Sequence, residues 1–538
     1  MLRCAQHDYA APSRVTLDEM TISSASDPAL APPRPGVDPR LTLALLTLAI
    51  FVGAVDLTVV SAVLPKIMLD LRVSLDTELN RAAWVVSGYL LAYTISMTFM
   101  GRLSDLLGRR QVYLVSLVVF LVGSVIVASA PTLTILITGR IVQALGAGAM
   151  VPVSMALVSD LFPPGARAAA LGFIGAVDTA GWMVGHLYGG VLMRLFDDWR
   201  LLFWVNLPIG LVALVLTWWA LRNVPQQRAT GSFDWRGTLL ISASLTALNL
   251  GLSAGAELGA TDFYGERIGP PPYALPLVLL AFLLLAAFVV WQQRARDPLL
   301  DLALFRDRGA AAASVINVMI GFSIALAITN VPLFINTRLL LAAPTDPDIL
   351  RQAAWDAGWM LSALTLTMAA AAFPGGLAAG RFGDRPVALI GLTLTMLGFG
   401  LMSRWSAAET YATMAVHLIL AGLGLGLVIA PAADAVIRAA AEDRRGAVSA
   451  VVIALRLVGM TVGVAMLTLW GVQRQDALRR AGADNPLVSS DPALFLMEIA
   501  AQVIGETFLF GVAALGIAVI SAGLMQSSRS QRGHDERD

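Results

Sequence analysis

Four ionisable residues, Asp56, Arg140, Asp178 and Arg456, fall inside long apolar stretches of this 538-residue chain. On insertion scales a charge at the centre of a bilayer costs about 3 kcal/mol unless it pairs or faces water, so such residues mark ion or proton pathways. Asp56 lies about nine residues before Pro65, or roughly 13 Å along a helix, and Arg140 about seven residues, roughly 10 Å, from the start of its own stretch. The two therefore sit at similar depth. Burial favours the neutral acid and a nearby guanidinium favours the carboxylate, so movement that changes either influence binds or releases a proton. The plainer alternative is that Asp56 only hydrogen-bonds neighbouring helices. Asp178 and Arg456 each lie about ten residues, roughly 15 Å, from a cytoplasmic end. They are candidates for a second charged pair or relay, with Arg456 bonding backbone carbonyls as the equal alternative.

His186 stands about two turns beyond Asp178. It is either a carrier of proton traffic, since imidazole titrates near neutrality, or a packed side chain. Around it Gly181, Gly185 and Gly189 have the small-xxx-small spacing that lets helix backbones approach closely.

The stretches that carry these residues must be membrane helices. The chain is 57% hydrophobic and 14% charged, with a mean hydropathy of +0.74, against about 25% charged residues in an ordinary soluble domain. A net charge of zero lacks the concentrated basic surface that nucleic acid needs as a partner. The lone Cys4 and four scattered histidines offer no metal cluster and no disulfide, and no cofactor is implied. The one lysine, Lys66, follows Pro65, so no phosphate-binding Gly-x4-Gly-Lys-Ser/Thr loop exists. No catalytic constellation is present either, and the chain reads as a non-enzyme.

A span needs about 20 apolar residues. Fourteen such segments are expected, near 41–64, 83–100, 112–130, 133–155, 169–193, 201–221, 237–255, 273–292, 311–335, 357–379, 386–403, 411–432, 447–470 and 503–525. Basic residues concentrate in cytoplasmic loops, and most of the 37 in this chain do so if both termini are cytoplasmic. The expected location is an inner (plasma) membrane, crossed many times. Residues 1–40 read as a disordered tail, 41–221 as an N-lobe and 222–310 as a linker carrying spans 7 and 8. Residues 311–526 read as a C-lobe and 527–538 as a tail. The run Gly101-Arg102-Leu103-Ser104-Asp105-Leu106-Leu107-Gly108-Arg109-Arg110, expected as the loop after span 2, has a degenerate copy at Gly376 to Arg385, after span 10. A similar feature at matching places in two halves signals duplication.

Taken with Asp56-Leu57-Thr58-Val59-Val60, with Arg140, Gln143, Gly146 and Gly148, and with Asn206-Leu207-Pro208-Ile209-Gly210, this run gives the chain its family likeness. Over about 41–526 it resembles the major facilitator superfamily, and within it the fourteen-span drug:proton antiporters. One departure is that Gly185 is followed by His186 where that family has proline. The glycine-rich run from Ala421 to Ile429, and Arg456 to Gly471, look closer to the mycobacterial branch that exports triacylglycerol-type lipids with a periplasmic lipoprotein.

The resemblance implies an all-α membrane fold of two six-helix lobes plus two extra helices. It implies a proton-coupled exporter of a lipid or other hydrophobic small molecule, with a multidrug antiporter and a non-transporting receptor or scaffold as alternatives. It implies that Asp56 and Arg140 face a central cavity and alternate between protonated and paired carboxylate. Gly181, Gly185, His186 and Gly189 become hinge or packing residues. Gly101, Arg102, Asp105, Gly108, Arg109 and Arg110 become a lock between the lobes, against the alternative that their positive charge only sets topology. The segment from Thr337 to Trp355 reads as a turn and a helix prolonging span 10, either a docking surface for a periplasmic lipoprotein carrier or a passive loop.

Overall fold

The structure, a computed structural model, describes residues 38–72, 79–196, 198–224, 226, 228–256, 273–342, 349–482 and 485–525. Among them all regular structure is helical. The N-terminal helices are α1 (Pro39–Asp70), α2 (Leu79–Leu107), α3 (Arg109–Ala128), α4 (Leu133–Leu161), α5 (Pro164–Phe196), the short α6 (Arg200–Trp204) and α7 (Asn206–Leu221). An inserted pair, α8 (Trp235–Ala256) and α9 (Ala274–Arg294), follows. The C-terminal helices are α10 (Arg308–Ala342), α11 (Ile349–Phe382), α12 (Asp384–Met402), α13 (Tyr411–Arg438), α14 (Arg445–Ala481), the short α15 (Leu487–Ser490) and α16 (Pro492–Leu524).

Among the described residues twelve helices are long and apolar enough to cross a membrane. Helices α5 and α8 occupy the fifth and seventh expected spans but are not among the twelve. The sixth expected span is broken at Val205 into α6 and α7. Pro208 accounts for the break, because its ring would collide with the carbonyl of Trp204 in a continuous helix.

The two halves repeat one packing scheme. Helix α1 packs on α5 and α7, α2 on α4, and α3 on α4 and α7. In the same way α10 packs on α14 and α16, α11 on α13, and α12 on α13 and α16. The repeat extends to the turns, since Gly108 (φ +105°) separates α2 from α3 and Gly383 (φ +92°) separates α11 from α12. Only glycine takes such angles without strain. The Gly101–Arg110 run differs from the expected loop. It stays helical through Leu107 and turns at Gly108 alone. Ser104, Asp105, Arg102 and Arg109 are buried there by protein, not exposed to water.

The halves meet along two seams, α5 against α11 and α2 against α14. Small residues permit the contact, as Gly376 faces Ala168 and Ala169, and Gly172 faces Ala372 and Ala430. Helix α8 packs on α9 and touches both α2 and α14. Its connections are pinned by carboxylates. Asp234 accepts from Trp291 Nε1 (2.9 Å) and Gln292 Nε2 (2.8 Å). Asp297 accepts from Ser232 N (2.9 Å) and Oγ (2.8 Å). Those bonds hold Asp297 below the usual carboxylate range. Helix α11 starts at Ile349, so it does prolong the tenth expected span; residues 344–348, the expected turn before it, lie outside the described residues.

Candidate functional site

Asp56 on α1 and Arg140 on α4 are brought together at the centre of the N-terminal half, and each is about 1% exposed or less. Arg140 Nη1 donates to Asp56 Oδ2 at 2.5 Å, and its Nη2 donates to the Asp56 carbonyl at 3.3 Å. Asp56 Oδ1 accepts from Asn206 Nδ2 (2.8 Å) and Gln143 Nε2 (3.2 Å). Gln143 also accepts from Arg140 Nη1 at 3.0 Å and donates to Ser124 Oγ at 2.8 Å. Tyr89 of α2 closes the other side, its ring centroid 3.9 Å from Arg140 Cζ, within cation–π range.

The sequence builds this cluster by close helix approach. A Cβ on Gly123 would lie 2.7 Å from Gln143 Cγ and 2.8 Å from its Cα, so only glycine lets α3 sit near enough for the Ser124 bond. Chemically, the cluster is a buried carboxylate whose charged form is hydrogen-bonded and paired entirely by protein groups. Removing one partner of such a buried pair costs about 3–5 kcal/mol.

Asp178 on α5 and Arg456 on α14 are also brought to one place. They line a cavity between the halves with Tyr93, Met97, Leu171 and Trp182, among others. They form no direct ion pair among the described residues. Arg456 Nη2 donates instead to Asn317 Oδ1 at 3.2 Å. The cavity is walled mainly by Met, Leu, Ile and Val with these two charges facing it.

At the Gly108 end the halves are joined by hydrogen bonds. Asp105 accepts from Gly446 N (3.0 Å) and Ala447 N (2.9 Å), at the first turn of α14, where the helix dipole favours a negative charge. Arg109 holds the same carboxylate through Nε (3.2 Å) and Nη2 (2.9 Å), pairs with Asp160, and donates to the carbonyls of Ala156 (3.2 Å) and Glu442 (3.1 Å). Gly101 is a contact point, since a Cβ there would overlap Gly446 O and lie 2.8 Å from Ala450 Cβ. Arg110 is turned outward, its guanidinium on the Arg222 carbonyl at 3.1 Å.

Several charged residues around this contact were not singled out from sequence: Asp160, Arg167, Asp434, Arg438, Glu442 and Arg445. Arg445 reaches Asp160 at 3.5 Å and Glu442 at 3.0 Å, while Arg438 pairs with Asp384 and with Asp434 (3.3 Å). They fall at the α4–α5 and α13–α14 junctions, where the sequence shows only charges at helix ends. Tyr89 and Ser124 were likewise unread. Gly181 and Gly185 lie on a continuous α5, packed on α1 with Gly185 against Val55 and Thr58. His186 and Gly189 belong to the same helix.

Apolar helices in two matching sets of six, meeting around a charged cavity, define a multi-pass membrane transporter. A sequence profile described as Major Facilitator Superfamily matches residues 46–342 and 313–474. The triacylglyceride transporter of Mycolicibacterium hassiacum is 32% identical over 91% of this chain and 92% of its own length. That of Mycobacterium tuberculosis H37Rv is 33% identical over 81% of this chain and 83% of its own. Among solved structures, the human organic anion transporter MFSD10 aligns with a TM-score of 0.54 at 16% identity, over 89% of this chain and 100% of that one. The proton:xylose symporter XylE aligns with a TM-score of 0.53 at 13% identity, over 88% and 94%. The chain belongs to the major facilitator superfamily.

Proposed function

We propose that the protein is a proton-coupled secondary transporter that exports a triacylglycerol-like lipid by alternating access. The buried Asp56–Arg140 pair carries the energy-coupling half of this reading, because an ionisable pair among membrane-spanning helices is expensive and by default marks an ion or proton pathway. The similarity to mycobacterial relatives named triacylglyceride transporters, over most of both chains, supports the lipid as cargo. The cavity matches such a cargo in polarity, with apolar walls for acyl chains and Arg456 as a donor for an ester carbonyl.

In this reading fourteen helices span the bacterial inner membrane, both termini are cytoplasmic, and the Asp105 lock is the cytoplasmic gate. The structure then corresponds to a state closed toward the cytoplasm. The outward extension of α11 from Ile349 is where a periplasmic lipoprotein carrier would receive the lipid. The test is lipid analysis of a deletion strain beside its sensitivity to a panel of lipophilic drugs. Loss of triacylglycerol from the cell surface supports lipid export. An unchanged lipid profile with raised drug sensitivity moves the assignment to multidrug efflux.

A further inference from the structure

Asp56 does not line the cavity between the lobes, yet a carboxylate that exchanges protons during transport must reach water. Two tyrosines one turn apart on α2 lie between the two. Tyr93 lines the cavity together with Asp178 and Arg456. Tyr89 is fully buried and covers the Arg140 guanidinium. Their rings stack, with centroids 6.0 Å apart and planes 16° from parallel.

The Tyr89 hydroxyl is the odd feature. It has no hydrogen-bond partner among the described residues, although buried hydroxyls nearly always find one. Its ring lies 3.9 Å from the Cζ of Arg140, the partner of Asp56, and Tyr93 lines one cavity with Asp178. Packing alone would be served by phenylalanine, which keeps the ring over Arg140 and leaves no polar atom unsatisfied.

We propose that Tyr93 and Tyr89 form the relay through which Asp56 exchanges protons with the cavity that holds Asp178. This rests on the proton-coupled reading above. In the inward transfer hydronium in the cavity gives a proton to the Tyr93 oxygen as Tyr93 passes its own to the Tyr89 oxygen, and the Tyr89 hydroxyl, turning from its unpartnered position, passes its own to the Asp56 carboxylate. Each phenol oxygen loses one O–H bond and gains one, hydronium becomes water, the carboxylate becomes the acid, and nothing is oxidised. The charged and titratable groups facing this path are Asp56 on α1, Arg140 on α4, Asp178 and Tyr188 on α5, and Arg456 on α14. Tyr188 on α5 has a hydroxyl likewise unpartnered among the described residues but neither lines the cavity nor stacks on Tyr93, so it serves as the control position.

The experiment is a pH jump on the full-length protein in lipid nanodiscs, following the carboxyl C=O infrared stretch of Asp56, assigned by its loss in Asp56→Asn. A relay residue changes the rate of protonation and leaves its midpoint alone, whereas a structural residue moves the midpoint or neither. Tyr89→Phe, and separately Tyr93→Phe, should slow the Asp56 signal at least about tenfold, less than the 10²–10⁴ typical of a positioned proton donor because water leaks around it. Tyr188→Phe should leave the rate unchanged. An undiminished rate in both Tyr89→Phe and Tyr93→Phe overturns the relay while the proton-coupled reading stands. A parent protein with no carboxyl signal that Asp56→Asn removes overturns both.

Discussion

Replacing Gly101 by alanine should keep the two lobes from closing at the Asp105 end. The added methyl would stand 2.7 Å from Gly446 C and 2.8 Å from Ala450 Cβ, where carbon atoms ordinarily sit about 3.5–4.0 Å apart. Helices α2 and α14 must then part by roughly 1 Å, since the neighbours on both sides are backbone or alanine and cannot turn away. That movement carries the Asp105 carboxylate from 3.0 and 2.9 Å to beyond hydrogen-bonding range of Gly446 N and Ala447 N. Two hydrogen bonds to a charged group are worth about 1.5–3 kcal/mol each, about 3–6 kcal/mol together. At 1.4 kcal/mol per factor of ten, the ratio of closed to open gate should fall by about 10²–10⁴. Spin labels at Pro163 and Phe382, on opposite lobes, read this directly in a Cys4→Ser background. The variant should show a longer distance population that the parent lacks. Superimposable distributions for parent and Gly101→Ala would refute the argument that this contact holds the gate.

Three further outcomes follow from the same geometry. Gly185→Val puts a branched side chain against Val55 and Thr58; overpacking of this kind costs about 1–3 kcal/mol, so the melting temperature in detergent should drop, while Gly358→Val, at a site with open space, should leave it within error. Asn206→Leu removes the 2.8 Å bond to Asp56, a loss of about 1.5–3 kcal/mol for a charged acceptor, and should lower both thermal stability and transport. The Ser232–Asp297 clasp should be insensitive to pH through the physiological range. Hydrogen bonds from Ser232 hold Asp297 below its ordinary value, so the clasp is fully present above about pH 3.9 and is lost only as the pH falls through the lower folded value. Protease cleavage within 222–236 should accordingly rise only in strong acid.

Most of the helices were legible because apolar length is a direct record of the bilayer, and among the described residues twelve of the fourteen expected stretches fall on helices long and apolar enough to cross it. Asp56 and Arg140 were legible as two charges at similar depth, since charges stand out in apolar runs, whereas Gln143 and Asn206 came in only with the family motifs and their bonds to Asp56 were not foreseen. What hydropathy misread is burial of protein against protein. The segment 101–107 looks like a loop because Arg102, Ser104 and Asp105 are polar, yet it is helix buried by α14. The same blindness hid Asp160, Arg167, Asp434 and Arg438, which sit at helix ends where charges are expected to be solvated. The region after Trp470 read as a polar external loop, although α14 runs on to Ala481 and α16 begins at Pro492. Amphipathic helix outside the lipid leaves no apolar run to detect.

Energy coupling through Asp56 is the central claim, and purified protein in liposomes tests it most directly. A fluorescent triacylglycerol is loaded, a proton gradient is imposed, and movement across the membrane is compared between the parent and Asp56→Asn. The account predicts that the variant folds and inserts normally but shows no gradient-driven transport. Full gradient-dependent transport by Asp56→Asn would contradict it.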